Sequence, residues 1–351
     1  AQTHRNITQS NELESVLAQL QTDLLIIAYE LQHHIIRAAA LGVPLMLLET
    51  HVSTRRAPNV PILSSQFIPT NARDSAAQAA TSWQKSTRRR QLRFGLERIY
   101  FGGLDRMSAL RELAKTVGLD FEQRVDYLRQ WQFLFFRDLP TLYLSAWEFD
   151  FPHEIADKEN YVGPQVLLER EEPAVNGRFQ TLMQQVAQEP KRPFIYCAMG
   201  SLHGNHNANF LRRVIAAAGQ HPSWTLLLSL GKYLKAEQFE NVPSNVHLFN
   251  MVPQLQVLQQ ADLILTHGGI ATINECILAQ VPMLIYSNGF LDRNGNAARV
   301  ECHGLGQRGD GEQDSAAKIG ADIEQMLAEN GRFQPNLQKM ATVYQQYIDE
   351  Q

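Results

Sequence analysis

The sequence predicts an α/β protein of two halves, each a parallel sheet with helical cover. Short continuous apolar runs, such as LLIIA at 24–28 and FIYCA at 194–198, alternate with stretches of helical periodicity. Runs of that kind are the mark of strands buried on both faces. Two such series are separated by a charged stretch at 169–176. The chain's 351 residues suffice for two domains of roughly 100–200 residues each.

In order, residues 11–20 place Leu13, Val16, Leu17 and Leu20 on one helical face. Residues 24–28 read as a strand, 33–41 as a helix stopped by Gly42, and 43–48 as a second strand. Strand, helix, strand is a βαβ unit. Residues 58–82, polar and carrying Pro58, Pro61 and Pro69, read as a long loop. Residues 83–139 read as helical, 142–144 as strand and 151–164 as loop. The second series gives strands at 194–198, 225–230, 246–249, 263–266 and 282–286. Helices are expected at 208–218, 254–260, 271–279, 296–303 and 336–348. The expected division is 1–168, a linker at 169–192, 193–330, and a last segment, 331–351, packing back toward the first half. Two such halves suggest facing Rossmann-like domains, with a ligand crevice at the carboxyl ends of the strands.

Bulk properties exclude some classes. A formal net charge of −4 gives no bias toward nucleic acid. No apolar run reaches the 18 or so residues of a membrane span. The start, AQTHRNITQS, shows no signal peptide and begins with Ala, as expected of a processed chain or a fragment. Cys197, Cys276 and Cys302 are odd in number and form no CxxC, which reads as unpaired thiols in a cytoplasmic protein.

The most informative stretch is THGGIATINE, residues 266–275. Gly268 and Gly269 allow a sharp turn and close backbone approach. The helix that follows points free N–H groups and its positive dipole end at that turn, which suits an anion such as a pyrophosphate. Thr272 can offer its hydroxyl to the same anion. Glu275, one turn further on the same face, suits vicinal hydroxyls such as those of a ribose. His267, at the strand end, can donate to a phosphate oxygen. The bland alternative is a strand-turn-helix with a Gly turn and Thr as its N-cap. Two neighbouring segments, MVPQ at 251–254 and LDRNGNA at 291–297, would open on the same crevice.

The run VPQLQVLQQADLILTHGGIATINECILAQVPMLI, with DRNGNAARVECHGLG after it, resembles the carboxyl-terminal signature of UDP-glycosyltransferases. That superfamily has the GT-B fold and includes macrolide, sterol and carotenoid glycosyltransferases. The resemblance implies that Val252 and Gln254 hold the uracil and Glu275 the ribose hydroxyls. It implies that His267, Gly268, Gly269, Thr272 and Ser201 hold the diphosphate, and that Asp292 binds the transferred sugar with Asn296 near the diphosphate. It implies an inverting hexosyl transfer from a UDP-sugar to a hydroxyl of an apolar small molecule or lipid, without metal or cofactor. Residues 1–168 would be a partial acceptor-binding domain and 193–330 the donor-binding domain.

The sequence departs from the family pattern. Met251 stands where a Trp usually stacks on uracil, which leaves TDP open as well as UDP. Asp292-Arg293 stands where an acid and a Gln usually grip the sugar. Ser287-Asn288 stands where a Pro is common. The segment that carries the family's general-base His has no counterpart before the strand at 24–28, so the N-terminal domain is expected to be incomplete, with an exposed edge. Glu30 is the nearest acid able to orient such a His. Two alternatives follow: a nucleotide-sugar-binding subunit needing that segment in trans, or a UDP-sugar 2-epimerase on the same fold.

Other signals read differently. GLGQRG at 304–309 matches GxGxxG but follows a helix, whereas a dinucleotide fingerprint follows a strand. His203 and His206, in the loop over the expected crevice, are candidates for phosphate contact more than for metal; His33-His34 read as structural. Residues 85–98, from Lys85 to Arg98, carry six cations and one acid next to Ile99, Tyr100 and Phe101. That is a charged helix face or a peripheral contact with an anionic membrane at the inner face. Trp83, Trp131, Phe133, Phe135 and Phe136 are core residues or the lining of an acceptor pocket.

Overall fold

The computed structural model describes residues 2–9, 12–70, 74–126, 134–200 and 204–350. The chain forms two compact units, Ala1–Gly163 and Pro164–Gln351.

The first unit comprises α1 (Gln2–Gln9), α2 (Glu12–Leu20), β1 (Leu25–Ala28), α3 (Gln32–Ala40), β2 (Leu45–Glu49), α4 (Ser75–Tyr100), α5 (Arg106–Thr116) and α6 (Phe121–Arg124). A two-strand ladder, β3 (Val125–Asp126) with β4 (Phe135–Phe136), precedes β5 (Thr141–Tyr143) and β6 (Glu159–Tyr161). Its four-stranded sheet runs β1-β2-β5-β6, all parallel. Alternation divides the strand residues between the faces. Ile27 pairs with Leu47, and both join a buried cluster with Ile35 and Ile36 of α3 and Leu110 and Leu113 of α5. Ile26 pairs with Met46, and Ala28 with Leu48 and then Leu142, on the other face. There Ile26 is 51% exposed. The Asp105 carboxylate caps α5 by accepting from the Ser108 N–H at 3.0 Å.

The loop expected over 58–82 ends early, because α4 begins at Ser75. The helical start is held by Trp83, whose indole N–H donates to the Val60 carbonyl at 2.8 Å, with Ile62 and Leu63 also buried. Periodicity hid it, since Ala76, Ala77, Ala79 and Ala80 give no apolar stripe. Strand β6 was hidden by its sequence, Glu-Asn-Tyr, with a partly exposed surface.

The second unit comprises α7 (Gly177–Gln188), β7 (Phe194–Ala198), α8 (Gly204–Gln220), β8 (Thr225–Ser229), β9 (Val246–Phe249), α9 (Gln254–Leu258) and β10 (Leu263–Thr266). It continues with α10 (Ile270–Leu278), β11 (Met283–Ile285), α11 (Arg293–Cys302), β12 (Gly306–Arg308), α12 (Ala316–Ala328) and α13 (Asn330–Asp349). Six parallel strands run β12-β11-β10-β7-β8-β9. Strand order therefore reverses between β7 and β10, both of which are buried at every residue. The stretch expected as a linker, 169–192, contains α7, N-capped by the Asn176 side chain. The last helix packs on α10 and α12, with Tyr344 donating to Asn274 Oδ1 at 3.1 Å.

The glycines of GLGQRG have packing reasons. Gly304 takes φ +63° after α11. A Cβ at Gly306 would lie 2.0 Å from the Met283 carbonyl oxygen across the β11–β12 ladder. A Cβ at Gly309 would lie 2.2 Å from the Tyr286 ring.

Candidate functional site

At the β7/β10 reversal two successive connections leave the sheet in opposite directions, which opens a crevice at the carboxyl ends of the strands. A pocket of about 390 Å³ occupies this place in the second unit. Each wall comes from a different connection. Gly200 follows β7, Ser229 ends β8, Gly231 follows it, and Met251, Val252 and Gln254 follow β9. Ala271, Thr272 and Glu275 come from the first two turns of α10, and residues 170–173 close one side.

Glu275 is the chemical centre of the pocket. It is only 5% exposed. A carboxylate so enclosed requires partners for both oxygens. Arg170 Nη1 donates to Oε1 at 2.5 Å and Gln254 Nε2 to Oε2 at 2.7 Å. The Gln254 amide also reaches Thr272 Oγ1 at 3.4 Å, and its carbonyl oxygen accepts from the buried Tyr196 hydroxyl at 3.1 Å. Tyr196 thereby fixes which way the amide faces, and burial raises the pKa of its phenol so that it stays a donor. The hydrogen bond to Glu275 raises the Arg170 pKa, and Arg170 also donates to Glu172 at 3.2 Å. Among the described lining residues Arg170 is the single cation, facing Glu171, Glu172 and Glu275.

The β10–α10 turn is built on glycine. Gly268 takes φ +85°, and a Cβ there would stand 3.0 Å from Ile285 Cγ2 and 3.2 Å from the Arg293 carbonyl oxygen. The His267 ring sits between two glycines: a Cβ at Gly200 or at Gly269 would approach it to 2.9 or 2.8 Å. Only a chain without side chains at both positions leaves room for that ring at the strand ends. Helix α10 then starts at Ile270 with no side-chain cap at its N-terminus, so its first N–H groups are directed at the turn.

The 291–297 segment supports this turn from behind. Asn296, wholly buried, donates to the Gly268 carbonyl at 3.0 Å and to Asp292 Oδ2 at 2.7 Å. Arg293 is 8% exposed and donates to Asn288 Oδ1 at 2.9 Å, with its guanidinium 5.2 Å from the Phe290 ring. Burial lowers its pKa, partly offset by Asp292. Asn296 thus holds Asp292 and the glycine turn while Arg293 holds Asn288, and none of the three is among the residues lining the pocket.

The structure brings Met251, Val252, Gln254, Thr272 and Glu275 together in one pocket; His267, Gly268 and Gly269 are not among the residues that line it, but the His267 ring lies against Gly200, which is. Met251 is half exposed at the rim and Val252 buried. Ser201 and His203 lie outside the described residues, as does the side chain of His206; Asn207 holds the preceding turn by donating to the Met199 carbonyl at 3.2 Å. Sequence reasoning missed Arg170 and Tyr196. Arg170 stands in the charged stretch EREEP (Glu169, Arg170, Glu171, Glu172), where a solvated run is the ordinary reading; Tyr196 lies within a buried strand. Among the described residues no group of three His, Cys, Asp or Glu side chains is gathered closely enough to hold a metal ion.

In the first unit, Glu30 is exposed after β1, and its carbonyl accepts from Arg106 Nη2 at 3.4 Å. The His33 and His34 rings lie 4.0 Å apart. A cavity of about 430 Å³ is lined by residues 56–59, Ala76, Ala80 and Trp83. Of the other aromatics, Phe136 is in the core, Phe135 lies 4.7 Å beneath the Arg55 guanidinium, and Trp131 and Phe133 are outside the described residues.

Residues 229–344 match the family described as Erythromycin biosynthesis protein CIII-like, C-terminal domain. The chain is 29% identical over 159 residues to the NDP-glycosyltransferase YjiC of Bacillus subtilis, covering 45% of this chain and 37% of that protein. It is 32% identical over 99 residues to the oleandomycin glycosyltransferase of Streptomyces antibioticus, covering 28% and 23%. It is 30% identical over 120 residues to the zeaxanthin glucosyltransferase of Pantoea ananas, covering 34% and 27%. The chain thus spans less than two fifths of these curated relatives. Among solved structures, the calicheamicin glycosyltransferase CalG4 superposes with a TM-score of 0.63 at 17% identity, over 99% of this chain and 78% of that one. The glycosyltransferase of kitacinnamycin gives 0.63 at 18%, over 95% and 76%. These likenesses identify the fold as GT-B. The family match over residues 229–344 and these relatives liken the second unit to glycosyltransferases, and the solved structures show that the chain shares their fold.

Proposed function

We propose that the second unit binds the nucleoside diphosphate of a sugar donor, and that the protein to which this chain belongs transfers a hexose from it to a hydroxyl of an apolar acceptor. The observation that carries the reading is the buried Glu275 carboxylate, aligned by Gln254, one helical turn inside the free N-terminus of α10. A carboxylate accepts from two vicinal hydroxyls, and the N–H groups of α10 with Thr272 receive the diphosphate. Met251 and Val252 lie at the pocket edge, where a pyrimidine fits. The donor is UDP-linked or, less favoured, TDP-linked.

As the glycosidic bond to the diphosphate breaks, negative charge grows on the leaving group. The helix N-terminus, and His267 beside it, stabilise that charge from fixed positions, so no metal is required. Displacement by an acceptor hydroxyl on the opposite face inverts the anomeric centre. The acceptor and its base are assigned to the first unit and to polypeptide beyond the pocket.

Calorimetric titration with UDP, with TDP and NAD for comparison, tests the donor half. Saturable UDP binding is expected, weakened by about 1–3 kcal/mol in Glu275→Ala, because ribose hydroxyls then lose their acceptor in an enclosed site. Equal affinity in the variant would show that the ribose lies elsewhere.

A further inference from the structure

Helix α4 is 26 residues long, and the outer side of its carboxyl-terminal half is apolar where a surface helix should be polar. Its inward side is marked by the buried Trp83 and Arg90 and the partly buried Phe94, which packs on the core of the first unit. At about 3.6 residues per turn, the opposite side carries Lys85, Arg88, Arg89, Leu92, Leu96 and Ile99 in one line. Leu92, Leu96, Ile99 and Tyr100 are 68%, 66%, 80% and 83% exposed. Among residues 91–100 none is buried. The ridge continues through exposed Phe101, whose ring meets Tyr100 edge-on at 4.9 Å, and Leu104.

We propose that this side of α4 is a docking surface for an anionic lipid bilayer. The two halves of the line supply the two parts of such a contact. Leu92, Leu96, Ile99 and Tyr100 offer apolar side chains to the boundary between headgroups and acyl chains, and Tyr100 has the amphipathic ring favoured at that level. Lys85, Arg88 and Arg89, exposed on the same line, face phosphate groups. Each cation of a polybasic segment is drawn to the negative potential of such a surface. Charge complementarity distinguishes this occupant from a second copy of the chain, in which equal cationic stripes would be brought together. No helix of the described residues is long and apolar enough to cross a membrane, so contact would be peripheral. The inference is independent of the donor site.

The test is co-sedimentation of the full chain with vesicles of phosphatidylcholine alone or mixed with phosphatidylglycerol. Expected is binding to the mixed vesicles that falls steeply as salt rises. Leu96→Ser with Ile99→Ser should reduce the bound fraction about tenfold, and Arg88→Glu with Arg89→Glu should do likewise, with UDP affinity unchanged in both. Both replace exposed side chains, and unchanged circular dichroism would verify that they fold. Failure to sediment with the mixed vesicles, or equal binding to both vesicle types, would overturn the proposal. So would a dimer in light scattering that the serine variant converts to monomer.

Discussion

The two sheets of this protein are built from the same parts and end in different states. In the second unit strand order reverses between β7 and β10, and the reversal opens the pocket around Glu275. In the first, the order β1-β2-β5-β6 runs one way, with no reversal among the described strands. Its helices α3 and α5 pack on the Ile27–Leu47 face, while Ile26 on the opposite face is half exposed and Met46, Leu48 and Leu142 only partly buried. Parallel sheets are ordinarily covered on both faces. A doubly covered sheet with a reversal makes a site; a sheet covered on one face leaves apolar surface. The comparison teaches that fold membership and a formed site are separate properties, even within one chain.

The largest expected effect tests the one-faced sheet. Ile27→Ala should destabilise the first unit by about 2–5 kcal/mol, as for an aliphatic side chain removed from a core. Ile26→Ala, its neighbour on the other face, should change stability by no more than about 0.5 kcal/mol. Equal losses in chemical denaturation would mean that both faces are covered.

Next comes the glycine turn that builds the site in the second unit. Gly268→Ala places a Cβ at φ +85° against Ile285 and the Arg293 carbonyl. The cost should be about 1–3 kcal/mol of stability in the second unit. A variant as stable as the parent would show that the turn tolerates a side chain at this position.

A smaller effect concerns Arg170. Its side chain is 30% exposed while that of Glu275 is 6% exposed, so solvent screens the Arg170 end of the ion pair and not the Glu275 end. Arg170 occupies an oxygen that the ribose is proposed to use. Arg170→Ala should therefore raise UDP affinity a few-fold in calorimetry. A fall in affinity would show Arg170 to be a ligand of the nucleotide instead.

The smallest is a pH effect on the first unit. Burial, then the charges of His34, Arg106 and Arg37, push the His33 pKa down from 6.5 to about 4. The unfolded chain then takes up a proton that the folded one refuses. The contribution to stability is complete above pH 6.5 and is lost as pH falls toward 4. His33→Gln should flatten that part of the pH profile; an unchanged slope would exclude His33 as its source.

Legibility in the sequence follows burial. Strands β7, β9 and β10 were readable to the residue, because FIYCA, VHLF and LILT are continuous or alternating apolar runs between polar turns. The order of motifs along 251–275 led to the pocket because successive strand ends converge at one edge of a parallel sheet. What escaped was polar or short. β6 and β12 have three residues each, and α7 follows directly on a charged stretch. Arg170 was invisible because its partner Glu275 is 105 residues away. Nor did local pattern reveal that Asn296 would be engaged with Asp292 and Gly268, and Arg293 with Asn288.

The most direct test of the account is hydrogen exchange on the whole chain with and without UDP. Slowed exchange in residues 196–200, 251–254 and 267–275, with no change in the first unit, is the predicted result. Saturating UDP that leaves those three segments unchanged, or protects others in their place, would contradict the assignment of the nucleotide to the β7/β10 crevice.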